Sequence, residues 1–132
     1  MPRKPLRLIA GRTLLHRTIA MARAAIGGLP DTELVVATDD QEIPDHPRAA
    51  GCDAAMTASA VATGSGRALG AALHRPAPPR FVVNLQGDSP FQPQGALLAV
   101  LAALQSGADV ATPVIALDWY ALDALRDHKR RS

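Results

Sequence analysis

The stretch Phe81-Val82-Val83-Asn84-Leu85 is a short apolar run interrupted only by Asn84. Such a run suits a strand buried on both faces of a parallel sheet better than a half-exposed strand, and burial on both faces requires helices above and below it. Gln86-Gly87-Asp88-Ser89-Pro90 follows at once, and Pro90 stops the ladder because it has no amide hydrogen to donate. In open α/β sheets the crevice beyond the carboxyl ends of the strands is where ligands bind, so Asp88 falls where a site is expected. A single carboxylate there is a natural ligand for Mg²⁺, which takes one or two carboxylates and leaves its other positions to water and substrate phosphates. The alternative is that Gly87-Asp88-Ser89-Pro90 is simply a turn, because turns select the same residue types.

The rest of the chain alternates helical and strand-like patterns. Two prolines bracket two cations in Met1-Pro2-Arg3-Lys4-Pro5-Leu6, which reads as loop. From Thr13 to Ile26, Leu14, Leu15, Ile19, Ala22 and Ile26 recur at helical spacing, and Gly27-Gly28 ends the helix. Glu33 to Thr38 reads as a strand that delivers Thr38, Asp39 and Asp40 to its carboxyl end. Those three side chains either face a ligand or begin a turn and cap the short helical piece that follows. Gly51 to Thr57 carries a weaker strand signal. Thr63-Gly64-Ser65-Gly66-Arg67 is a small, hydroxyl-bearing loop leading into a helix over 68–73. Such a loop lets backbone amides approach a polar ligand while Arg67 offers a fixed fork of donors, although the same residues also serve as ordinary helix caps. After the Phe81 strand come a helix from Pro93 to Gln105, a strand from Asp109 to Val114 and a helix from Trp119 to Arg126. Pro93 suits the first helical turn and Gly107 the stop. Strands alternating with helices predict an α/β fold with a mostly parallel sheet flanked by helices on both faces.

Composition narrows the function. At 132 residues the chain fits one globular domain, and with only 3% aromatics its core must come from Ala, Val, Leu and Ile. A net charge of +2, with no basic stripe and no interleaved aromatics, argues against a nucleic-acid surface. Cys52 is the single cysteine, so no intramolecular disulfide forms, and it reads as a small buried residue in a reducing compartment. No apolar run approaches the roughly 18 residues of a membrane span and no secretory signal opens the sequence, so a cytoplasmic setting is expected. His16, His46, His74 and His128 show no metal-ligand spacing and read as surface or cap residues.

Several of these pieces fall in a recognised order. The chain resembles the nucleotide-sugar cytidylyltransferases, most closely the 3-deoxy-manno-octulosonate cytidylyltransferase (CMP-Kdo synthetase) family, over nearly all of its length. Family members begin with a strand and a phosphate-binding loop ending Arg-Leu-Pro-Gly-Lys-Pro-Leu, and Met1 to Leu6 is similar to its tail, with Lys4 on the family lysine and Arg3 in place of glycine. Leu8-Ile9-Ala10-Gly11 opens the first helix as in the family, and Val35 to Asp40 matches its second strand and loop. Met56-Thr57 followed by Thr63-Gly64-Ser65-Gly66-Arg67 is similar to Met-Thr followed by Ser-Gly-Thr-x-Arg, and Val83 to Pro90 to Val-Asn-x-Gln-Gly-Asp-x-Pro. Val61 stands where the family usually has histidine, and Gly66 replaces an acidic residue.

The resemblance implies a Rossmann-like sheet of the nucleotide-diphospho-sugar transferase type. Residues 1–132 would form a single partial domain, without the family's first strand and C-terminal half. It implies attack by the anomeric oxygen of a sugar acid on the α-phosphorus of CTP, releasing pyrophosphate in lipopolysaccharide biosynthesis. Asp88 would bind Mg²⁺, Lys4 would contact the triphosphate, and Gln86 with Thr63, Gly64, Ser65 and Arg67 would hold the nucleotide. The implied partners are CTP, the sugar acid and, in the full-length family, a second subunit. Two alternatives stand beside this reading: a cytidylyltransferase for another sugar acid such as neuraminic acid, and a non-catalytic nucleotide-binding or interaction module.

Overall fold

The computed structural model describes residues 4–43, 48 and 50–131. Met1 to Arg3, His46 and most of the helical piece expected after Asp40 lie outside the described residues. Lys4–Leu6 forms a single 3₁₀ turn. The segment expected to open the first helix is instead a tight antiparallel hairpin, β1 (Leu8–Ile9) against β2 (Arg12–Thr13). Its two turn residues, Ala10 at φ 46° and Gly11 at φ 75°, both take left-handed backbone, the geometry two-residue hairpins require. Alanine is strained there, and Arg17 supports the turn by donating from Nε to the Ile9 carbonyl at 3.0 Å and from Nη2 to the Ala10 carbonyl at 3.1 Å.

Helix α1 (Leu14–Ile26) starts because the Thr13 hydroxyl accepts the His16 amide at 3.0 Å, replacing a bond the first turn cannot make for itself. It buries Leu14, Leu15, Thr18, Ile19, Ala22 and Ala25, so its inner face is the expected one, with Ala25 rather than Ile26 at the end. Strand β3 (Val35–Thr38) runs parallel to β4 (Asp53–Met56), with Val35 opposite Asp53 and Thr38 opposite Met56. The Thr57 amide extends the pairing to the Thr38 carbonyl at 2.8 Å. The centre of the core is Leu15, Ile19, Ile43 and Cys52, with Leu6, Leu34, Val36 and Ala50 packed around it. The Cys52 thiol donates to the Leu34 carbonyl at 3.2 Å, and burial raises its pKa against the partly offsetting Arg23 charge. It is therefore a neutral, unreactive thiol.

Three helices follow: α2 (Gly64–Leu73), α3 (Gln94–Gln105), which packs on α1, and α4 (Trp119–Arg131). Helix α3 begins one residue after Pro93, which sits at its cap, and α4 runs five residues beyond Arg126. The largest departure concerns the sheet. Phe81–Leu85 and Asp109–Val114 were expected as strands, but both are unpaired, and among the described residues the parallel sheet has only β3 and β4. A strand exists through its neighbour's hydrogen bonds, and neither segment has one. Burial on both faces fails with it: Phe81, Val83 and Leu85 are half-buried while Val82, Asn84 and Gln86 between them are exposed. The accessible surface is 9418 Å², against about 6,600 Å² for a compact monomer of 13.8 kDa. Part of the difference lies past α3, where Val110, Val114, Ile115, Trp119 and Tyr120 are each 79–86% exposed.

Candidate functional site

The site lies at the carboxyl ends of β3 and β4. The segment expected as a loop, Thr63 to Arg67, is the cap and first turn of α2. The Thr63 hydroxyl accepts the Gly66 amide at 3.1 Å, and its carbonyl takes the Arg67 amide at 3.0 Å. Among the described residues the amides of Gly64 and Ser65 have no acceptor, which leaves two donors at the positive end of the helix. Arg67 spans the strand ends: Nη1 donates to the Thr57 hydroxyl at 2.8 Å and Nη2 to the Asp39 carboxylate at 2.6 Å. Asp39, weighed in the sequence against a plain turn role, is therefore the residue that aims Arg67. Asp40 takes the turn role by accepting the Glu42 amide at 3.0 Å.

The alternation in Phe81–Gln86 turns Asn84 and Gln86 toward α2. Asn84 Nδ2 donates to the Ser65 hydroxyl at 3.3 Å, and Gln86 Nε2 lies 3.0 Å from where a Cβ on Gly64 would stand. A Cβ at 64 would push the flexible glutamine amide back by a few tenths of an ångström, so glycine there lets the amide lie against the helix end. Two residues on, the Asp88 carboxylate meets the Lys4 ammonium at 2.7 Å. The structure therefore forms two clusters, Lys4 with Asp88 and the α2 first turn with Gln86. Gln86-Gly87-Asp88 joins them within about 7 Å of chain.

The Lys4 hydrogen bond and charge hold the Asp88 carboxyl below the usual carboxylate range, against a smaller opposing effect of desolvation. A lowered folded pKa means the pair stabilises the fold fully above about pH 4 and loses that contribution as pH falls through the lowered value. With Lys4 half-exposed and Asp88 about a third exposed, the pair contributes less than about 1 kcal/mol. No group of three or more His, Cys, Asp or Glu side chains that could hold a metal occurs among the described residues. Asp88 is therefore a hard oxygen donor outside any such group. It fits Mg²⁺ bound through one carboxylate plus water and phosphate oxygens, and does not fit a cage made wholly of protein ligands.

The two departures at 61 and 66 touch each other. A Cβ on Gly66 would stand 2.9 Å from Val61 Cγ1 and 3.0 Å from the Thr63 hydroxyl that caps the helix. Gly66→Ala is expected to be about 1 kcal/mol more favourable in a Val61→Ala background than in the native one, read by urea denaturation. Equal effects in both backgrounds would show that the two positions are independent.

Asn84 and Thr18 were missed as site residues. Thr18 is visible in the sequence as a polar residue on an otherwise apolar helix face, and Asn84 as the one polar residue within the apolar run Phe81–Leu85. A groove of about 340 Å³, lined by residues including Arg23, Leu34, Cys52 and Asp53, lies at the opposite, amino ends of the strands and takes no part in this site.

A small α/β domain with side-chain donors gathered past its strand ends defines a broad class, and sequence comparison makes it specific. The sequence model of the cytidylyltransferase family matches residues 1–121, and the chain belongs to that family. It is 40% identical over 118 residues to a 3-deoxy-manno-octulosonate cytidylyltransferase of Maricaulis maris, covering 88% of this chain and 44% of that protein. Proteins of the same description from Xylella fastidiosa (42% over 121 residues, 89% of this chain and 46% of theirs) and Anaeromyxobacter dehalogenans (41% over 111 residues, 84% and 44%) are similarly related. The chain spans less than half the length of these curated relatives. No helix among the described residues is long and apolar enough to cross a membrane.

Proposed function

We propose that this chain is the nucleotide-binding part of a cytidylyltransferase that joins CTP to 3-deoxy-manno-octulosonate, giving CMP-Kdo and pyrophosphate in cytoplasmic lipopolysaccharide biosynthesis. The observation that carries the reading is the run Gln86-Gly87-Asp88, which connects Lys4 to the first turn of α2. In this reading β3 and β4 are the paired part of a Rossmann-like sheet of the nucleotide-diphospho-sugar transferase type.

On the same reading the Lys4 ammonium, paired with Asp88, neutralises triphosphate oxygens, and the amides of Gly64 and Ser65 with the Gln86 side chain receive polar atoms of the nucleotide. Asp39 keeps the Arg67 guanidinium beside them. Asp88 would hold Mg²⁺, which when bound offsets the charge that builds on the departing pyrophosphate. The sugar's anomeric oxygen attacks the α-phosphorus and the bond to pyrophosphate breaks. A reaction of this type depends on positioning and on cations set where negative charge develops, the two things these residues supply.

Lys4→Ala is expected to weaken CTP binding about tenfold while changing CMP binding little, because the ammonium addresses the distal phosphates. Equal loss for both ligands argues against a phosphate role. Pyrophosphate released from CTP with 3-deoxy-manno-octulosonate, and not with neuraminic acid, identifies the sugar; the reverse result gives the site to the other acid.

A second reading rests on the unpaired Phe81–Leu85 and Asp109–Val114 segments: an interaction module that pairs through open strand edges. It predicts concentration-dependent oligomers in sedimentation, whereas a monomer at all concentrations rules it out.

A further inference from the structure

We propose that Thr18 is a positioning residue for the Gln86–Asp88 turn, holding it from the buried face of α1. Thr18 is 4% exposed and is one of two buried polar residues among those described. Inside a helix a threonine hydroxyl ordinarily bonds back to the carbonyl four residues earlier, and here it lies 3.1 Å from the Leu14 carbonyl. It lies equally close, 3.1 Å, to the Gly87 carbonyl, 69 residues away in sequence. One hydroxyl hydrogen therefore serves a local acceptor and the middle of the candidate site.

The surroundings make this a seat. A Cβ on Gly87 would stand 3.4 Å from Leu15 Cδ1, so the turn rests directly against α1. Beyond it the Ser89 amide closes onto the Gln86 carbonyl at 3.1 Å, and Asp88 between them reaches Lys4. The Phe81–Leu85 segment that leads into the turn has no backbone hydrogen bond, so no sheet ladder fixes where the turn lies. Gly87 therefore depends on Thr18 and Leu15 for its position, and the direction of Asp88 depends on Gly87. A sheet-paired strand would make such a hydroxyl dispensable; here it replaces the missing ladder.

This inference rests on the nucleotide-binding reading for its ligand consequences, and the test separates the two. Thr18→Val keeps the shape and removes the donor, while Thr18→Ser keeps the donor. In the Val variant the Ser89 amide is expected to exchange with solvent about tenfold faster, a local loosening that NMR reads without any ligand. CTP binding in Mg²⁺ is expected to fall about tenfold and CMP binding less than twofold, because Lys4 and Asp88 serve the triphosphate. The Ser variant is expected to behave as wild type in all three measurements. Unchanged Ser89 exchange in the Val variant overturns the proposal, as do equal losses for CTP and CMP or a Ser variant that matches the Val variant. If the wild-type chain binds neither nucleotide, the functional reading fails, and the Ser89 exchange comparison still decides whether Thr18 seats the turn.

Discussion

Asp88→Asn is expected to abolish the Mg²⁺-dependent part of CTP binding, lowering affinity in Mg²⁺ by about a hundredfold, while leaving the chain folded. The asymmetry follows from the carboxylate's surroundings. Its partner Lys4 is 52% exposed on its side chain, so removing the negative charge strands no buried cation. The neutral amide keeps the shape but is a far poorer donor to a hard divalent ion, and no other carboxylate cluster among the described residues replaces it. The same variant is expected to lose the small acid-side decline in stability, because a group that no longer titrates contributes no slope below pH 4. Calorimetric titrations with and without Mg²⁺, with circular dichroism as the folding control, measure both. Retained metal-dependent binding in a folded Asp88→Asn chain removes Asp88 from the site.

The second large effect concerns stability. Ile19→Ala is expected to cost about 3 kcal/mol, from lost transfer energy and from the cavity left in the cluster it forms with Leu15, Ile43 and Cys52. Ile19 is 4% exposed, and three of the nine buried apolar residues among those described are alanines, so few large side chains share the load. Set against the roughly 5–15 kcal/mol typical of a whole domain, that loss is between about a fifth and three-fifths of the total stability. Leu98→Ala, at a position 40% exposed on α3, is expected to cost less than about 1 kcal/mol. Urea denaturation of the two variants orders them. An Ile19 variant as stable as the Leu98 variant would move the core elsewhere.

How far the fold is legible depends on how local its signal is. The α1 face, β3 and the weakly marked β4 follow from patterns that act within a few residues, and they form within the expected ranges, both strands shorter than those ranges. Phe81–Leu85 is different. Its composition states a preference for a sheet interior, but a strand also needs a neighbour, and composition within the segment cannot supply one. The same holds for Asp109–Val114. At the site, residues singled out from the sequence lie together in two pairs, Lys4 with Asp88 and Gln86 with Gly64. What the sequence did not reveal were contacts across long separations: Arg67 with Asp39, 28 residues apart, and Thr18 with Gly87. Nor does spacing distinguish a phosphate-cradling loop from a capped helix, since Thr63, Gly64 and Ser65 suit both, and here the cap and first turn are what form.

The most direct test of the central claim is a calorimetric titration of CTP into the purified 132-residue chain, with and without Mg²⁺ and with GTP as control. Selective CTP binding that strengthens with Mg²⁺ is the predicted result, because in the proposed function the α2 end receives the nucleotide and Asp88 needs the phosphates to complete a metal's shell. A folded chain that binds neither nucleotide, or binds CTP and GTP alike without regard to Mg²⁺, would contradict the account.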